Sequence, residues 1–408
     1  MNVLIKNIAP LALCTGLLIF SCSNPKENTT DTPVDSVGVA DSVQNTVEEP
    51  AIMAVSVDTV LDETARFIAG LPQLRANRFS EIEKDKYWQE YKSAMDSSWN
   101  KMYRGRLSKI KSWQASTLSA SMNDSLTLFY PFSGPDFLHA YFLYPNAKEY
   151  VMAALEPIVE IPALDTLTEK DRDLFLDSLG ISLRDIFGKS YFITTHMTKD
   201  LKQIKGVLPP IFFFMKRSGL ELVAMKFITL DEHGIEKEVD AKTLHWQVTR
   251  GVKITFRKPD TGELKNVYYF GISISNKGIL DRPEFVKFLT HRAPYNTFVK
   301  SASYLMQISA FTEIEKIILN QTETLFQDDT GVPYRDFKNR PDWQVQFYGE
   351  YVKPVRDFGE EKCQADLDSA YKASKNRQPL PFSLGYHWWT SKQNYMLVKR
   401  MPIAIEKK

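Results

Sequence analysis

Three short stretches of this 408-residue chain concentrate side chains that could bind or react. The first is Phe129-Tyr130-Pro131-Phe132-Ser133-Gly134-Pro135-Asp136-Phe137, whose residue types predict strand, turn and helix start. Backbone N–H groups at a helix start favour an anion or a developing oxyanion, so Ser133 stands where a nucleophile or a ligand-binding hydroxyl would work. Asp136 and His139 share one helical face at a spacing that lets a carboxylate orient an imidazole as general base. Ser133 and His139 are about 240° apart around a helix, and the Gly-x-Ser-x-Gly turn of the nucleophile elbow is missing. The trio is a candidate hydrolase site, set against the plainer expectation of a capped helix start with a surface histidine.

The second stretch is Gln327-Asp328-Asp329-Thr330-Gly331-Val332-Pro333-Tyr334. Asp328 and Asp329 are candidate Ca²⁺ ligands, but the spacing is not that of an EF-hand loop, and a solvated turn is the plainer expectation. The third is Gly385-Tyr386-His387-Trp388-Trp389, where His387, Trp388 and Trp389 are candidate contacts for a sugar or an aromatic ligand. Read as a strand, it sends Tyr386 and Trp388 to one face and His387 and Trp389 to the other. No zinc spacing, phosphate-cradling glycine loop or dinucleotide fingerprint occurs, so no cofactor is expected.

The elements that must position these residues read as α+β. Tyr87, Tyr91, Met95, Trp99, Met102, Arg106, Ile110 and Trp113 recur at three and four, predicting a long N-terminal helix opened by a Ser80–Glu83 capping box and weakest at Gly105. Strands are expected at 126–130 and 150–155, with helical pieces at 169–179 and 182–191 and an apolar run at 207–215. The β-branched and aromatic stretch 219–276 reads as an antiparallel meander. Helices are expected over 283–306, interrupted near Pro294, and over 312–326. A strand at 343–351, a helix at 360–374 and a closing hairpin of 382–389 with 394–399 complete the pattern. The expected fold is a long helix packed on a mainly antiparallel sheet, and no linker divides 59–408.

Composition narrows the function classes. A net charge of +1 and six histidines speak against a nucleic-acid binder or a histidine-rich metal store, and 12% aromatic residues speak for a packed interior. Residues 1–21 join Lys6 to an apolar stretch too short for a membrane span, as in a signal peptide. Residues 23–58 lack aromatics and carry one cation against seven acids, an acidic tether on a mildly basic body. Of three cysteines, Cys14 lies in the leader, and Cys363 is expected to be buried and unpaired.

Leu18-Ile19-Phe20-Ser21-Cys22 resembles the lipobox of bacterial lipoproteins of the Bacteroidota type. The resemblance implies cleavage before Cys22 and acyl chains on its thiol and amino group, hence a membrane partner and a place in the cell envelope. Asp35-Ser36-Val37, Asp41-Ser42-Val43 and Asp58-Thr59-Val60 resemble O-glycosylation sites of such exported proteins. The three stretches above, with Leu155-Glu156-Pro157, resemble a family of exported bacterial proteins that carries no assigned activity. The expected role is an envelope-anchored binding or structural module for a glycan or a peptide, with a hydrolase at Ser133, Asp136 and His139 as the alternative.

Overall fold

A computed structural model describes residues 56–193, 204 and 206–402, and residues 54–408 form one compact unit. The signal peptide, Cys22 and the glycosylation motifs at 35–37 and 41–43 lie outside the described residues. Asp58 caps the first helix by accepting from the Leu61 N–H at 3.0 Å, and exposed Thr59 is that helix's first residue.

The chain is α+β, built on one ten-stranded sheet. The strands are β1 (Thr127–Pro131), β2 (Tyr150–Ala154), β3 (Glu221–Leu230), β4 (Glu236–Glu238), β5 (Gly251–Arg257), β6 (Leu264–Gly271), β7 (Tyr295–Val299), β8 (Thr322–Gln327), β9 (Trp343–Gly349) and β10 (Asn394–Arg400). Their spatial order is β4-β3-β5-β6-β2-β1-β7-β8-β10-β9. The outer pairings are antiparallel, but β6, β2, β1, β7 and β8 run parallel at the centre. The sheet is thus mainly antiparallel, as expected, while its parallel centre goes beyond that expectation, because periodicity marks a strand without giving its direction. These central strands alternate between two cores: Tyr150, Met152 and Ala154 of β2 enter one, Val151 and Ala153 the other.

Helices cover both faces. One face carries α1 (Thr59–Ile68), α2 (Lys86–Met102), α3 (Ser108–Trp113), α4 (Phe137–Leu143), α5 (Glu169–Lys189) and α6 (Leu208–Arg217). The other carries α7 (Asn276–Leu280), α8 (Pro283–Thr290), α9 (Thr312–Gln321) and α10 (Ala365–Ala373). No described helix is long and apolar enough to cross a membrane; the apolar run at 207–215 is the buried helix α6.

Helices α2 and α3 are joined by a π-helical turn at Tyr103–Leu107 that contains Gly105, and a second such turn spans Gln114–Leu118. Each π turn inserts one residue, so after Met102 the next buried residue is Leu107 rather than Arg106. The expected capping box is not formed. Asp85 is the N-cap of α2, Ser80 Oγ accepts from the Asn77 N–H, and the Glu83 carboxylate accepts from the Gln73 N–H.

Three further expectations fail. Residues 295–299 are the strand β7 rather than helix: α8 ends at Thr290, and Tyr295, Thr297 and Val299 suit a strand buried on both sides. Residues 322–327 are likewise strand rather than the end of α9. Residues 382–389 form no strand, and β10 pairs instead with β8 and the distant β9, so there is no closing hairpin.

Candidate functional site

The direction of the central strands locates the site. From β1 the chain crosses through α4 to β2 on one side, and from β7 it crosses through α9 to β8 on the other. Helix α4 lies on one face of the sheet and α9 on the opposite face. The neighbours β1 and β7 therefore flank a topological switch point, where connections leaving the carboxyl ends of the strands diverge and open a crevice. The loops that leave these ends carry Ser133, Glu156, Lys300 and Ser301.

A cleft of about 300 Å³ occupies this position, lined among others by Tyr130, Ser133, Asp136, Glu156, Tyr191, Lys300, Ser301, Ser303, Asp357, Phe358 and Tyr386. A smaller hollow beside it shares Phe132, Gly134, Glu156, Ser301 and Ser303. The backbone around the cleft is strained: Phe132, Ser190, Ser301, Ser303 and Tyr304 all adopt positive φ without being glycine. Each such residue costs on the order of 1 kcal/mol and persists only where its surroundings hold it. Here Asp328 Oδ2 accepts from the Ser301 N–H at 2.8 Å, Thr330 Oγ1 from the Ala302 N–H at 2.8 Å, and the Tyr386 hydroxyl from the Ser303 N–H at 3.2 Å.

Beneath the cleft lies a buried ionic cluster. Lys300 Nζ is 2.8 Å from Asp136 Oδ2 and also donates to the Ser190 carbonyl. Asp136 further accepts from His139 Nδ1 at 2.9 Å, the His139 N–H at 3.2 Å and the Tyr130 hydroxyl at 3.1 Å. Burial pushes its carboxyl up, but His139 and Lys300 outweigh that and hold it down to about 2. Burial pushes His139 down to about 4, so near neutral pH the imidazole is uncharged and Lys300 supplies the balancing charge. Burial likewise lowers Lys300, against the pull of Asp136. With two of its three N–H donors engaged, the Lys300 ammonium keeps one for a guest in the cleft.

These contacts reassign the first candidate trio. Asp136 and His139 do meet, but His139 is fully buried, not on the surface, and does not line the cleft. Its Nε2 has no partner, and neither has Ser133 Oγ, so no hydrogen-bonded triad links them. Lys300 is the functional residue missed in the sequence; the helix expected over its position hid a strand end, and only a lysine within an apolar, β-branched run could have signalled it.

Asp328 and Asp329 are buried rather than in a solvated turn, because their loop leaves the interior strand β8. The Asp328 carboxylate is taken up by the N–H groups of Ser301 and Thr330, and Asp329 Oδ2 accepts from the Tyr304 hydroxyl at 3.0 Å. Among the described residues no three His, Cys, Asp or Glu side chains gather as a metal-binding group. Burial, then the neighbouring Asp328, raises the Asp329 carboxyl to about 8. The native state thus holds a proton that the unfolded chain releases in the ordinary carboxylate range. This contribution to stability is complete below that range and is lost as pH rises through about 8. Asp329→Asn is expected to be less sensitive than the native chain to a rise from about pH 5 to about pH 9, as read by urea unfolding at each pH.

The third stretch divides among different surroundings, because it is not a strand. Tyr386 lines the cleft, Trp388 lines a separate groove beside α2 and α5, His387 is buried and Trp389 is 60% exposed. Cys363 is partly exposed, with its Sγ 3.4 Å from the Tyr351 hydroxyl. Compared with known proteins, the chain matches no family model, no curated protein and no solved structure.

Proposed function

We propose that the protein is an envelope-anchored lipoprotein whose body binds a small polyhydroxylated ligand, sugar-like in its chemistry, in the cleft between β1 and β7. The single observation that carries this reading is the pair of buried hydroxyls, Ser133 Oγ and Ser301 Oγ, that line the cleft at the switch point without a hydrogen-bond partner. Each unsatisfied buried hydroxyl costs about 1–3 kcal/mol, which a ligand oxygen in the cleft removes. Tyr191 meets Tyr386 edge-on and Phe358 tilts against it, so three aromatic rings line the cleft for a sugar to pack on. In this reading the long helical run from Lys86, with its pack of helices, supports the sheet rather than the ligand. Thermal-shift titration with N-acetylglucosamine, N-acetylmuramic acid and their disaccharide tests it. Native protein is expected to be stabilised by at least one of them and the Ser133→Ala, Ser301→Ala double variant by none; equal shifts for both proteins would refute the assignment.

A second reading is supported by the lowered basicity of Lys300, which lines the same cleft as the unpartnered Ser133 hydroxyl, residue types suited to acyl transfer with lysine rather than histidine as base. A fluorophosphonate probe separates the two: labelling that Ser133→Ala abolishes selects the hydrolase, and no labelling selects the binding module.

The anchor rests on the lipobox at Cys22. Metabolic labelling with an alkyne fatty acid is expected to mark the native chain and not Cys22→Ser, which should leave the membrane fraction. A Cys22→Ser variant that stays membrane-bound, or an unlabelled native chain, contradicts the proposal.

A further inference from the structure

A larger groove of about 830 Å³, sharing no lining residue with the cleft, lies between α2, α5 and the 380–391 segment. Lys101, Arg106, Lys109 and Arg184 line it, and no carboxylate does. Lys101, Lys109 and Arg184 are exposed and make no ion pair among the described residues, whereas the nearby Asp185 is 3.0 Å from Lys189. Arg106 is held in place by donating to the Ile186 and Gly188 carbonyls at 3.1 Å each. The π turn at Tyr103–Leu107 leaves Gly105 bare on the groove floor, and Trp388 forms part of the opposite wall. Three exposed cations without ion pairs, gathered beside Arg106, repel one another, an arrangement that favours a polyanionic guest.

We propose that this groove binds a short acidic oligosaccharide. The cations would pair with its carboxylate or sulfate groups, and the indole of Trp388 would stack on a sugar face. A volume of this size suits several sugar rings rather than a single ion. A basic groove with an indole would also stack a nucleic-acid base, so an oligonucleotide comparison decides between the two guests. The next hollow along α2 and α5 shares Ser98, Arg184 and Phe187 with the groove but adds Glu90 and Asp177, so the acidic guest stops there. The site is separate from the Ser133 cleft, and the proposal stands whether or not that cleft binds sugars.

Calorimetric titration of the full chain with a heparin tetrasaccharide tests it, with neutral maltotetraose and a single-stranded oligonucleotide as comparisons. Heparin tetrasaccharide is expected to bind and maltotetraose not to. Affinity should fall about tenfold or more in the Lys101→Glu, Lys109→Glu double variant and about tenfold in Trp388→Ala, while Ser133→Ala leaves it unchanged. The interaction should weaken steeply with salt. Absence of heparin binding, an affinity indifferent to the charge reversal or to Trp388→Ala, or oligonucleotide binding as tight as that of heparin would each overturn the proposal. Melting curves of the variants confirm that they fold; Lys101, Lys109 and Trp388 are at least partly exposed, and Ser133→Ala removes only an unpartnered hydroxyl.

Discussion

Replacing Lys300 by methionine is expected to lower the unfolding free energy by about 3–5 kcal/mol. Lys300 and Asp136 are each only 2% exposed at their side chains and stand 2.8 Å apart. Taking the ammonium away leaves Asp136 ionised in the interior, with only neutral donors from His139 and Tyr130 to hold it. The cost comes from the stranded carboxylate more than from the lost attraction. The Asp136→Asn, Lys300→Met double variant should therefore be more stable than Lys300→Met alone, although both lack the ion pair. Urea unfolding of the three chains checks it. A double variant no more stable than the single one would show that the charge of Asp136 is not what Lys300 balances.

The second large effect lies where the helical layer meets the sheet. Trp113 packs its ring against Phe326, Tyr348 and Phe382 at centroid distances of 5.3, 5.2 and 5.3 Å, joining the helical run to β8, β9 and the segment before β10. Trp113→Ala is expected to cost about 3–5 kcal/mol, because three aromatic neighbours cannot collapse into the space together. Trp389→Ala, at a side chain 60% exposed, should change stability by no more than about 0.5 kcal/mol. Thermal unfolding of both variants gives the comparison; similar losses would mean that Trp113 does not anchor the layer.

The parts of the fold that could be read in the sequence are those governed by local pattern. The strands at 127–131 and 150–154 and the meander of β3, β5 and β6 follow from alternation and turn residues, whereas the helix expected to be capped at Ser133 begins three residues later, with Asp136 as its cap. What escaped is set by distant partners. Tyr295–Val299 and Thr322–Gln327 read as the ends of helices because a strand buried on both faces has no period to show. With those two strands missed, the parallel centre and its switch point could not be foreseen, and Lys300 and Ser301 were invisible as site residues. Ser133, Asp136 and Asp328 were singled out by residue type and local turn chemistry, Glu156 only by the resemblance of its block, and the structure places them around or beneath one cleft. The role expected of His139 changed for a reason no spacing reveals: its helix faces the core, so the imidazole orients a buried carboxylate.

The most direct test of the central claim is a crystal structure of the protein soaked with mono- and disaccharides of the N-acetylglucosamine type. The account predicts a bound sugar in the cleft between β1 and β7, with its oxygens within hydrogen-bond distance of Ser133 Oγ, Ser301 Oγ and Lys300 Nζ. A cleft that stays empty at saturating sugar, with the Ser133 and Ser301 hydroxyls bonded to groups of the protein itself, would contradict it.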